Sequence, residues 1–390
     1  MKRKVVPLAA IFIIVILVAA AAYFAYNFAG VRPVSRTTSL EGISVPEGFA
    51  ISVFAENLSS NAASYPGPNN GPRLMAYYGD VVIVSLTSQG KVIALPDENH
   101  DGKADRVITV AENLQRPHGL AVYNNELYIA EENKVIKGTL DSSLSLQKVS
   151  TVVDNLPTGG HFTRTIVIKD DALYISIGSD CNVCREEDNH RAAVLKCSLD
   201  GNCSVFASGL RNSVGLAFNP TTGELWATDN GRDMLGNDVP PEDINILKEG
   251  KNYGWPICYG NKIHDTDFDK NVYIRDPCAD SVAPAFEMQA HSAPLGLAFY
   301  TGKMFPEEYK GDLFVAFHGS WNRNPPTGYK VVRIRIKDGI PVSIEDFASG
   351  WLNSSVVSGR PVDVIVAKDG ALLVSDDSSG RIYKISYGGK

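Results

Sequence analysis

One hydrophobic pattern recurs along the chain. Each copy has a small turn, a short strand of the Gly-Leu-Ala type, a polar turn, and a second strand rich in Leu, Tyr, Ile and Val. Two short apolar segments separated by a polar turn indicate a pair of β-strands. The six copies cover residues 74–86, 119–130, 165–178, 215–229, 296–317 and 362–376.

The spacing of the copies defines the fold class. Their first residues are 45, 46, 50, 81 and 66 positions apart, which is typical of β-propeller blades that carry inserted loops. We therefore predict an all-β chain with a six-bladed β-propeller over residues 45–390. Because loops from all blades converge at one rim of such a ring, the active surface is expected there.

The two ends of the propeller segment predict how the ring closes. Residues 49–54 alternate apolar Phe49, Ile51 and Val53 with small or polar residues, and residues 381–386 alternate in the same way. Such alternation indicates strands. We expect these two strands to share the last blade, since closure removes exposed sheet edges.

Two inserts depart from the repeat. Residues 180–191 contain a CxxC sequence with mixed charges, and residues 231–292 are rich in Gly, Pro, Asn and Asp. Long loops within compact domains are usually functional or disordered. The aromatic and cysteine content of the second insert favours an ordered, functional loop.

The N-terminal segment predicts a membrane anchor. Residues 5–28 are apolar and follow Lys2, Arg3 and Lys4. Some 24 residues at ~1.5 Å each are long enough to cross a ~30 Å hydrocarbon core. A cleaved signal peptide is the alternative. The basic residues place the N-terminus inside the cell, so the propeller is expected to be extracytoplasmic. Residues 30–44 are then a linker between the anchor and the propeller.

The net charge of −7 argues against a nucleic-acid partner.

The six cysteines fit an extracytoplasmic location, because an even number of cysteines in an oxidising environment suggests disulfides. Proximity along the chain favours the pairs Cys181–Cys184, Cys197–Cys203 and Cys258–Cys278. Zinc at Cys181 and Cys184 is a weaker alternative, because no second ligand pair follows at the usual spacing.

A possible calcium loop follows the first repeat. Asp97, Asn99, Asp101 and Asp105 place oxygen ligands at positions 1, 3, 5 and 9, with Gly102 at position 6. This is the first half of an EF-hand-like loop, but the glutamate expected at position 12 is replaced by Ile108. A plain polar turn is the alternative interpretation.

Polar residues precede equivalent strands in three successive copies. His118, His161 and the pair Arg211–Asn212 stand just before these strands. Equivalent positions in a propeller converge on the mouth of the channel, so we expect these residues to meet. Further Arg, His, Trp and Tyr residues at similar positions suit a planar, anionic, aromatic ligand.

These motifs resemble the glucose/sorbosone dehydrogenase family, whose members are soluble aldose sugar dehydrogenases that depend on pyrroloquinoline quinone (PQQ). The resemblance extends over about residues 45–386 and is most specific at residues 116–120, 178–196, 209–260, 291–300 and 317–329. It implies a six-bladed propeller, PQQ and calcium as cofactors, and oxidation of a sugar at its anomeric carbon to a lactone.

The resemblance also implies roles for individual residues. His118 matches the general base, and Arg211 and Asn212 match the pair beside the quinone oxygens. The backbone carbonyls of Gly231 and Arg232 match the ligands of the active-site calcium. The remaining matches are expected to line or bind the cofactor: His161, Trp321, Arg323 and Arg360.

One departure from the family pattern concerns the cofactor carboxylates. Members that use PQQ have a second basic residue beside the match to Arg360, where this chain has Val362. Two other functions therefore stay open, a calcium-dependent sugar lactonase and a non-enzymatic binding protein. A membrane quinone or cytochrome is the expected electron acceptor for an anchored dehydrogenase.

Overall fold

The computed structural model describes residues 36–60 and 70–388. Within them, six antiparallel sheets each contribute four strands, which confirms the predicted all-β six-bladed propeller. Blade 1 comprises Met75–Tyr78, Val81–Leu86, Lys91–Leu95 and Ile108–Ala111; blade 2, Leu120–Tyr123, Glu126–Ala130, Val135–Leu140 and Leu146–Val153; blade 3, Ile166–Lys169, Ala172–Ile177, Ala193–Ser198 and Cys203–Ser208; blade 4, Leu216–Phe218, Leu225–Asp229, Glu242–Leu247 and Phe286–Met288; blade 5, Pro294–Phe299, Leu313–Phe317, Lys330–Lys337 and Ile340–Ser349; blade 6, Pro361–Val366, Leu372–Asp376, Arg381–Tyr387 and Phe49–Ala55.

The first strand of each blade lies innermost. Each of these strands contacts the first strand of the next blade, and that of blade 6 contacts that of blade 1, so the ring is closed. The second strands are packed between neighbouring blades on both faces. All five residues of Leu313–Phe317 are therefore buried, as expected for a strand covered on both sides.

The N-terminal strand of the propeller closes the ring. Phe49–Ala55 pairs antiparallel with Arg381–Tyr387, with Phe49 opposite Tyr387 and Ile51 opposite Ile385. This confirms the predicted closure. The Phe49 ring also packs against the rings of Phe305 and Phe347, at centroid distances of 4.7 and 5.1 Å, so the closing strand is held by side-chain packing as well as by hydrogen bonds.

Several short elements lie outside the blades. Part of the predicted linker is structured, because Arg36–Leu40 and Ile43–Pro46 form a hairpin that extends blade 5. The insert predicted at residues 231–292 is not one loop, since it contains the third and fourth strands of blade 4. The other short elements are the strands Lys251–Asn252, Cys258–Tyr259, Ile263–His264, Leu352–Asn353 and Val356–Val357, and the 3-10 turns Thr87–Gln89 and Glu307–Tyr309.

The predicted disulfide pairs are all present: Cys181–Cys184, Cys197–Cys203 and Cys258–Cys278. Cys181 and Cys184 lie beside Glu186 in the one described cluster of His, Cys, Asp and Glu that has metal-site dimensions. Because both sulfurs are bonded to each other, they are unavailable as zinc ligands. No described helix is long and apolar enough to span a bilayer, and the predicted anchor, residues 5–28, falls outside the described part of the chain.

A small apolar cluster, here called the plug, lies at the beginnings of the innermost strands. Leu74, Val214, Leu295 and Val362 come from four blades and form one buried cluster. Val362 is fully buried there. The valine at this position is thus part of the plug. We call the end of the propeller where loops precede the first strands the site face.

Candidate active site

A cavity of about 420 Å³ opens on the site face, above the plug. This volume lies within the usual range for a small-molecule site. The lining includes three arginines, three histidines and two carboxylates, so cationic groups predominate. These charged and titratable residues are Arg73, Arg211, Arg360, His161, His291, His318, Asp233 and Glu242.

His161 presents one ring nitrogen to this cavity. Its Nδ1 lies 2.9 Å from the carbonyl oxygen of Ser179, which can only accept a hydrogen bond, so Nδ1 carries the proton. Nε2 then holds a lone pair, and no hydrogen bond joins it to any described residue. Burial, followed by the charge of Arg211, lowers the pKa of His161 to about 4. The imidazole is therefore neutral at physiological pH and can accept a proton.

A buried arginine shapes the loop that carries His161. The Arg164 guanidinium is fully buried and donates hydrogen bonds to four backbone carbonyls. Three of these belong to the same loop, those of Pro157, His161 and Thr163, and the fourth belongs to Glu132. This loop is consequently fixed by an internal cation, and the position of His161 does not depend on a ligand.

A glycine allows His161 and Asn212 to approach each other. A Cβ at Gly178 would lie 2.5 Å from the Cβ of His161 and 2.7 Å from Oδ1 of Asn212. Any other residue at position 178 would therefore push the two side chains apart. Asn212 Oδ1 is buried without a hydrogen-bond partner in the described residues, and such an acceptor is costly until a ligand or a water molecule satisfies it.

The guanidinium of Arg211 is held in one orientation beside Asn212. Its Nε donates to the Asn182 carbonyl at 2.9 Å, and one terminal nitrogen contacts both Asn182 Oδ1 and Asp233 Oδ2. The other terminal nitrogen donates to the Asn230 carbonyl at 3.2 Å. The guanidinium is buried and its orientation is fixed from two sides.

The other two cavity arginines, Arg73 and Arg360, differ in how their positive charges are compensated. Arg73 forms a 2.5 Å ion pair with the buried Asp377, which also accepts from His318 Nε2 at 2.9 Å. Arg360 has no ion pair with a described carboxylate. It donates instead to the backbone carbonyls of His318 and Gly319. Arg360 is thus the cavity arginine best placed to meet an anionic ligand.

Buried carboxyl groups gather next to Gly231. Burial raises the pKa of Glu242 to about 8 and that of Asp229 to about 7, and burial raises the pKa of Asp243 well above its usual value. Glu242 lines the cavity and accepts from the Gly231 backbone N–H at 2.7 Å. A divalent cation nearby would favour the charged forms, so this donor set suits calcium, which prefers oxygen ligands.

The structure brings together six of the predicted site residues and separates the others from them. Those that line the cavity are His161, Arg211, Asn212, Gly231, Trp321 and Arg360.

His118 is not one of them, although it was predicted to be the general base. It is fully buried, and neither ring nitrogen has a hydrogen-bond partner in the described chain. Burial, then the charge of Arg73, lowers its pKa well below the usual value. The backbone of Arg164 acts in the opposite direction and raises this pKa. His118 is in the predicted position before a first strand, but it is buried and does not line the cavity.

Two predicted arginines also point elsewhere. Arg323 binds Asp238 at 2.8 Å and the carbonyls of Asn237 and Pro325, so it ties two surface loops together outside the cavity. The Arg232 side chain pairs with Asp265 at 3.0 Å, behind Gly231. The prediction for Arg232 concerned its backbone carbonyl, and calcium binding there stays a prediction.

The predicted calcium loop lies on the opposite face of the propeller. It joins the third and fourth strands of blade 1, whereas the site loops precede first strands or follow second strands. The carboxylates of this loop accept hydrogen bonds from its own backbone. Asp97 accepts from the Gly102 N–H, and Asp105 accepts from the Glu98 N–H. Asp97, Asn99, Asp101 and Asp105 are therefore separate from the cavity, and calcium binding in this loop stays a prediction.

Sequence reasoning missed Arg73 and did not single out Glu242. Arg73 stands just before the first strand of blade 1, the position that His118, His161 and Arg211 hold in their own blades. That equivalence was the available signal. The signal for Glu242 is weaker, because it begins a strand inside residues 231–292, where the sequence pattern predicts an inserted loop.

Three comparisons place the chain among known proteins. The model of the TrAA12-like family matches residues 72–388. An uncharacterised protein of Borreliella burgdorferi is 32% identical over 365 residues, which cover 88% of this chain and 91% of that protein. A pyrroloquinoline quinone-dependent pyranose dehydrogenase of Coprinopsis cinerea is 27% identical, and the alignment covers 81% of this chain and 54% of that enzyme, so the chain spans about half its length.

A solved structure shows the same fold. The calcium structure of a Trichoderma reesei enzyme of carbohydrate-active family AA12 superposes with a TM-score of 0.75 at 21% identity, covering 91% of this chain and 99% of that one. Because the family model alone covers most of the chain, the resemblance to PQQ-dependent sugar dehydrogenases is confirmed, and the chain belongs to the TrAA12-like family.

Proposed function

We propose that the chain is a PQQ-dependent dehydrogenase that oxidises the anomeric carbon of a sugar to a lactone. The observation that carries the proposal is the pairing of a neutral, oriented His161 with a cationic cavity above the plug. PQQ is a flat quinone with carboxylates, and it supplies the oxidising centre when bound. The name of the Coprinopsis cinerea relative, a pyrroloquinoline quinone-dependent pyranose dehydrogenase, supports this cofactor and a sugar substrate.

Four residues of the cavity would hold the cofactor. Arg211 and Asn212 are consecutive residues that both line the cavity, and Asn212 Oδ1 is buried without a hydrogen-bond partner in the described residues. Arg360 and Arg73 offer guanidinium groups that suit carboxylates. Arg73 thus supplies the second basic residue whose usual position is occupied here by Val362. Calcium would bind beside Gly231, where the buried carboxyl group of Glu242 lies.

His161 is the proposed general base, in place of His118. Its Nε2 would accept the proton of the anomeric hydroxyl, while Nδ1 stays hydrogen-bonded to the Ser179 carbonyl. This hydrogen bond fixes the tautomer and supports the imidazolium that forms. Trp321, which is 70% exposed at the mouth of the cavity, offers an aromatic face to the sugar ring.

Reconstitution tests the function. The purified propeller is incubated with PQQ and calcium, and reduction of an artificial dye is followed with a panel of aldoses and pyranoses. The proposal expects sugar-dependent reduction that requires both additions. Hydrolysis of a sugar lactone without PQQ would instead identify a lactonase. Sugar binding without any turnover would identify a binding protein.

The pH dependence of kcat/KM for the sugar is expected to report the lowered pKa of His161. Because the base must be unprotonated, kcat/KM for the sugar should stay level as the pH falls from 7 and should decline only near the pKa of His161, about 4. A histidine with its ordinary pKa of ~6.5 would give a decline near that value. Kinetics between pH 3.5 and 8 decide, with circular dichroism to exclude unfolding. A decline centred near 6.5 would contradict a base whose pKa is lowered by its partly buried position.

We also propose that the enzyme works outside the cytoplasmic membrane, held by residues 5–28, and passes electrons to a membrane quinone or cytochrome. The three disulfides support an oxidising compartment. Protein recovered in the membrane fraction after a high-pH wash, and digested by protease added to intact cells, is the expected result. Recovery in the soluble cytoplasmic fraction would contradict it.

A further inference from the structure

A four-residue turn closed by a disulfide adjoins the active site. Cys181 and Cys184 are bonded to each other and enclose Asn182 and Val183. The turn follows the second strand of blade 3, Ala172–Ile177, and therefore stands on the site face. Neither the proposed chemistry nor the cofactor contacts use Asn182, which does not line the cavity itself.

Every polar group of the Asn182 side chain is engaged. Oδ1 accepts from Arg211 at 3.0 Å and from the Asp233 backbone N–H at 2.7 Å, while Nδ2 donates to the Asp233 carbonyl at 3.1 Å. The Asn182 carbonyl also accepts from Arg211 Nε at 2.9 Å. One residue thus contacts two nitrogens along one edge of the Arg211 guanidinium and fixes the backbone that follows Gly231.

The same turn reaches the proposed base. Ser179 accepts the hydrogen bond of His161 Nδ1 through its carbonyl, and its hydroxyl donates to the Cys181 carbonyl at 2.6 Å. The Ser179 backbone N–H donates to the Arg211 carbonyl at 2.8 Å. His161, Arg211 and the disulfide turn therefore form one connected network.

We propose that Asn182 is a positioning residue that orients Arg211 toward the cofactor and that the Cys181–Cys184 disulfide holds it in place. The inference rests on the proposed function. Without the Asn182 side chain, the guanidinium keeps the backbone carbonyl of position 182, Asp233 and the Asn230 carbonyl as partners. It stays charged, but it loses the contact to Oδ1, and the Asp233 backbone loses both hydrogen bonds that fix it. Orientation is the property lost, because a buried planar group is held by paired hydrogen bonds on its edges.

The first test measures PQQ binding to folded Asn182→Ala protein by spectroscopic titration. Loss of a charge-assisted hydrogen bond predicts a rise in Kd of ~10-fold or more. Asn182→Asp keeps the accepting oxygen and is expected to bind at least ~3-fold more tightly than Asn182→Ala. Should Asn182→Ala fail to fold, Asn182→Ser replaces it in the same comparison.

The second measurement needs no cofactor. NMR titration of His161 in the PQQ-free protein reports the charge of Arg211 nearby, which helps to lower that pKa. Displacement of the guanidinium in Asn182→Ala should raise the pKa of His161, which a purely structural role would not do.

The disulfide has its own matched pair of variants. Cys181→Ser/Cys184→Ser should weaken PQQ binding in the same direction as Asn182→Ala. Cys197→Ser/Cys203→Ser removes a disulfide in the outer strands of blade 3 and should leave the Kd unchanged. A wild-type Kd and an unchanged His161 pKa in Asn182→Ala would overturn the inference. Failure of the wild-type protein to bind PQQ would overturn the proposed function instead.

Discussion

Replacement of His161 by glutamine is expected to lower kcat for sugar oxidation by ~10²- to 10⁴-fold, the usual contribution of a positioned general base. Glutamine retains polarity and approximate size but does not accept a proton at neutral pH. Because His161 is fixed by the Ser179 carbonyl and its loop by Arg164, we expect PQQ binding to change little. Stopped-flow kinetics of the reconstituted variant, with the cofactor Kd measured in parallel, tests this.

His118→Gln is the matched control. Both histidines precede first strands, but His118 is fully buried and lines no part of the cavity. Its replacement should therefore leave kcat within about threefold of the wild-type value in the folded protein, since no contact with the reacting sugar is lost. If His118→Gln loses the rate and His161→Gln retains it, the base is His118 and the proposed assignment is wrong.

The second large effect is expected on cofactor affinity. Arg360→Met should raise the Kd for PQQ by ~10- to 100-fold, because one charge-assisted hydrogen bond to a carboxylate is worth about 1.5–3 kcal/mol. Arg360 is the cavity arginine without a carboxylate partner among the described residues, so its removal leaves no buried protein anion unpaired. Isothermal titration or quenching of protein fluorescence measures the change.

Arg323→Met is the control for this arginine. The sequence predicted a cofactor contact for Arg323, whereas the structure pairs it with Asp238 outside the cavity. Its replacement should leave the Kd for PQQ unchanged. Equal losses of affinity in both variants would indicate a general electrostatic effect, and a loss in Arg323→Met alone would contradict the location of the site.

The fold could be predicted because its determinants are local in sequence. Each blade repeats two apolar segments around a polar turn, and the closing strand shows the alternation of a half-buried strand from Phe49 onward. The disulfides were also predictable, since each joins cysteines at most 20 positions apart. Short loops between paired strands make such partners close in space.

The choice between the two histidines was not predictable from position. His118 and His161 both stand before first strands and near glycine. What separates them is tertiary: Arg164 binds the carbonyls around His161 and holds its loop open, and Gly159 and Gly160 adopt positive φ angles of 93° and 56°. The neighbours of His118 enclose it completely. Gly159, Gly160 and Arg164 are neighbours of His161 in sequence, but the surroundings of His118 include residues distant along the chain, such as Arg73 and Arg164, and leave no local signal.

The acidic loop at residues 97–105 shows a second limit of prediction from sequence. Asp97 and its neighbours match half of a calcium motif, but a short motif does not specify the face of the propeller on which it stands. The order of the strands does specify the face. A loop between the third and fourth strands of a blade lies on the opposite face from a loop that precedes a first strand. Val362 illustrates the same limit, since only the assembled ring shows that its side chain is buried in the plug with residues of other blades.

One measurement tests the central claim most directly. The propeller, loaded with PQQ and calcium and freed of unbound cofactor by gel filtration, is mixed anaerobically with excess aldose while the quinone absorbance is recorded. The account predicts that PQQ elutes with the protein and that the sugar bleaches its spectrum in wild type but far more slowly in His161→Gln. PQQ that elutes apart from the protein, or a bound quinone that no sugar reduces, would contradict it.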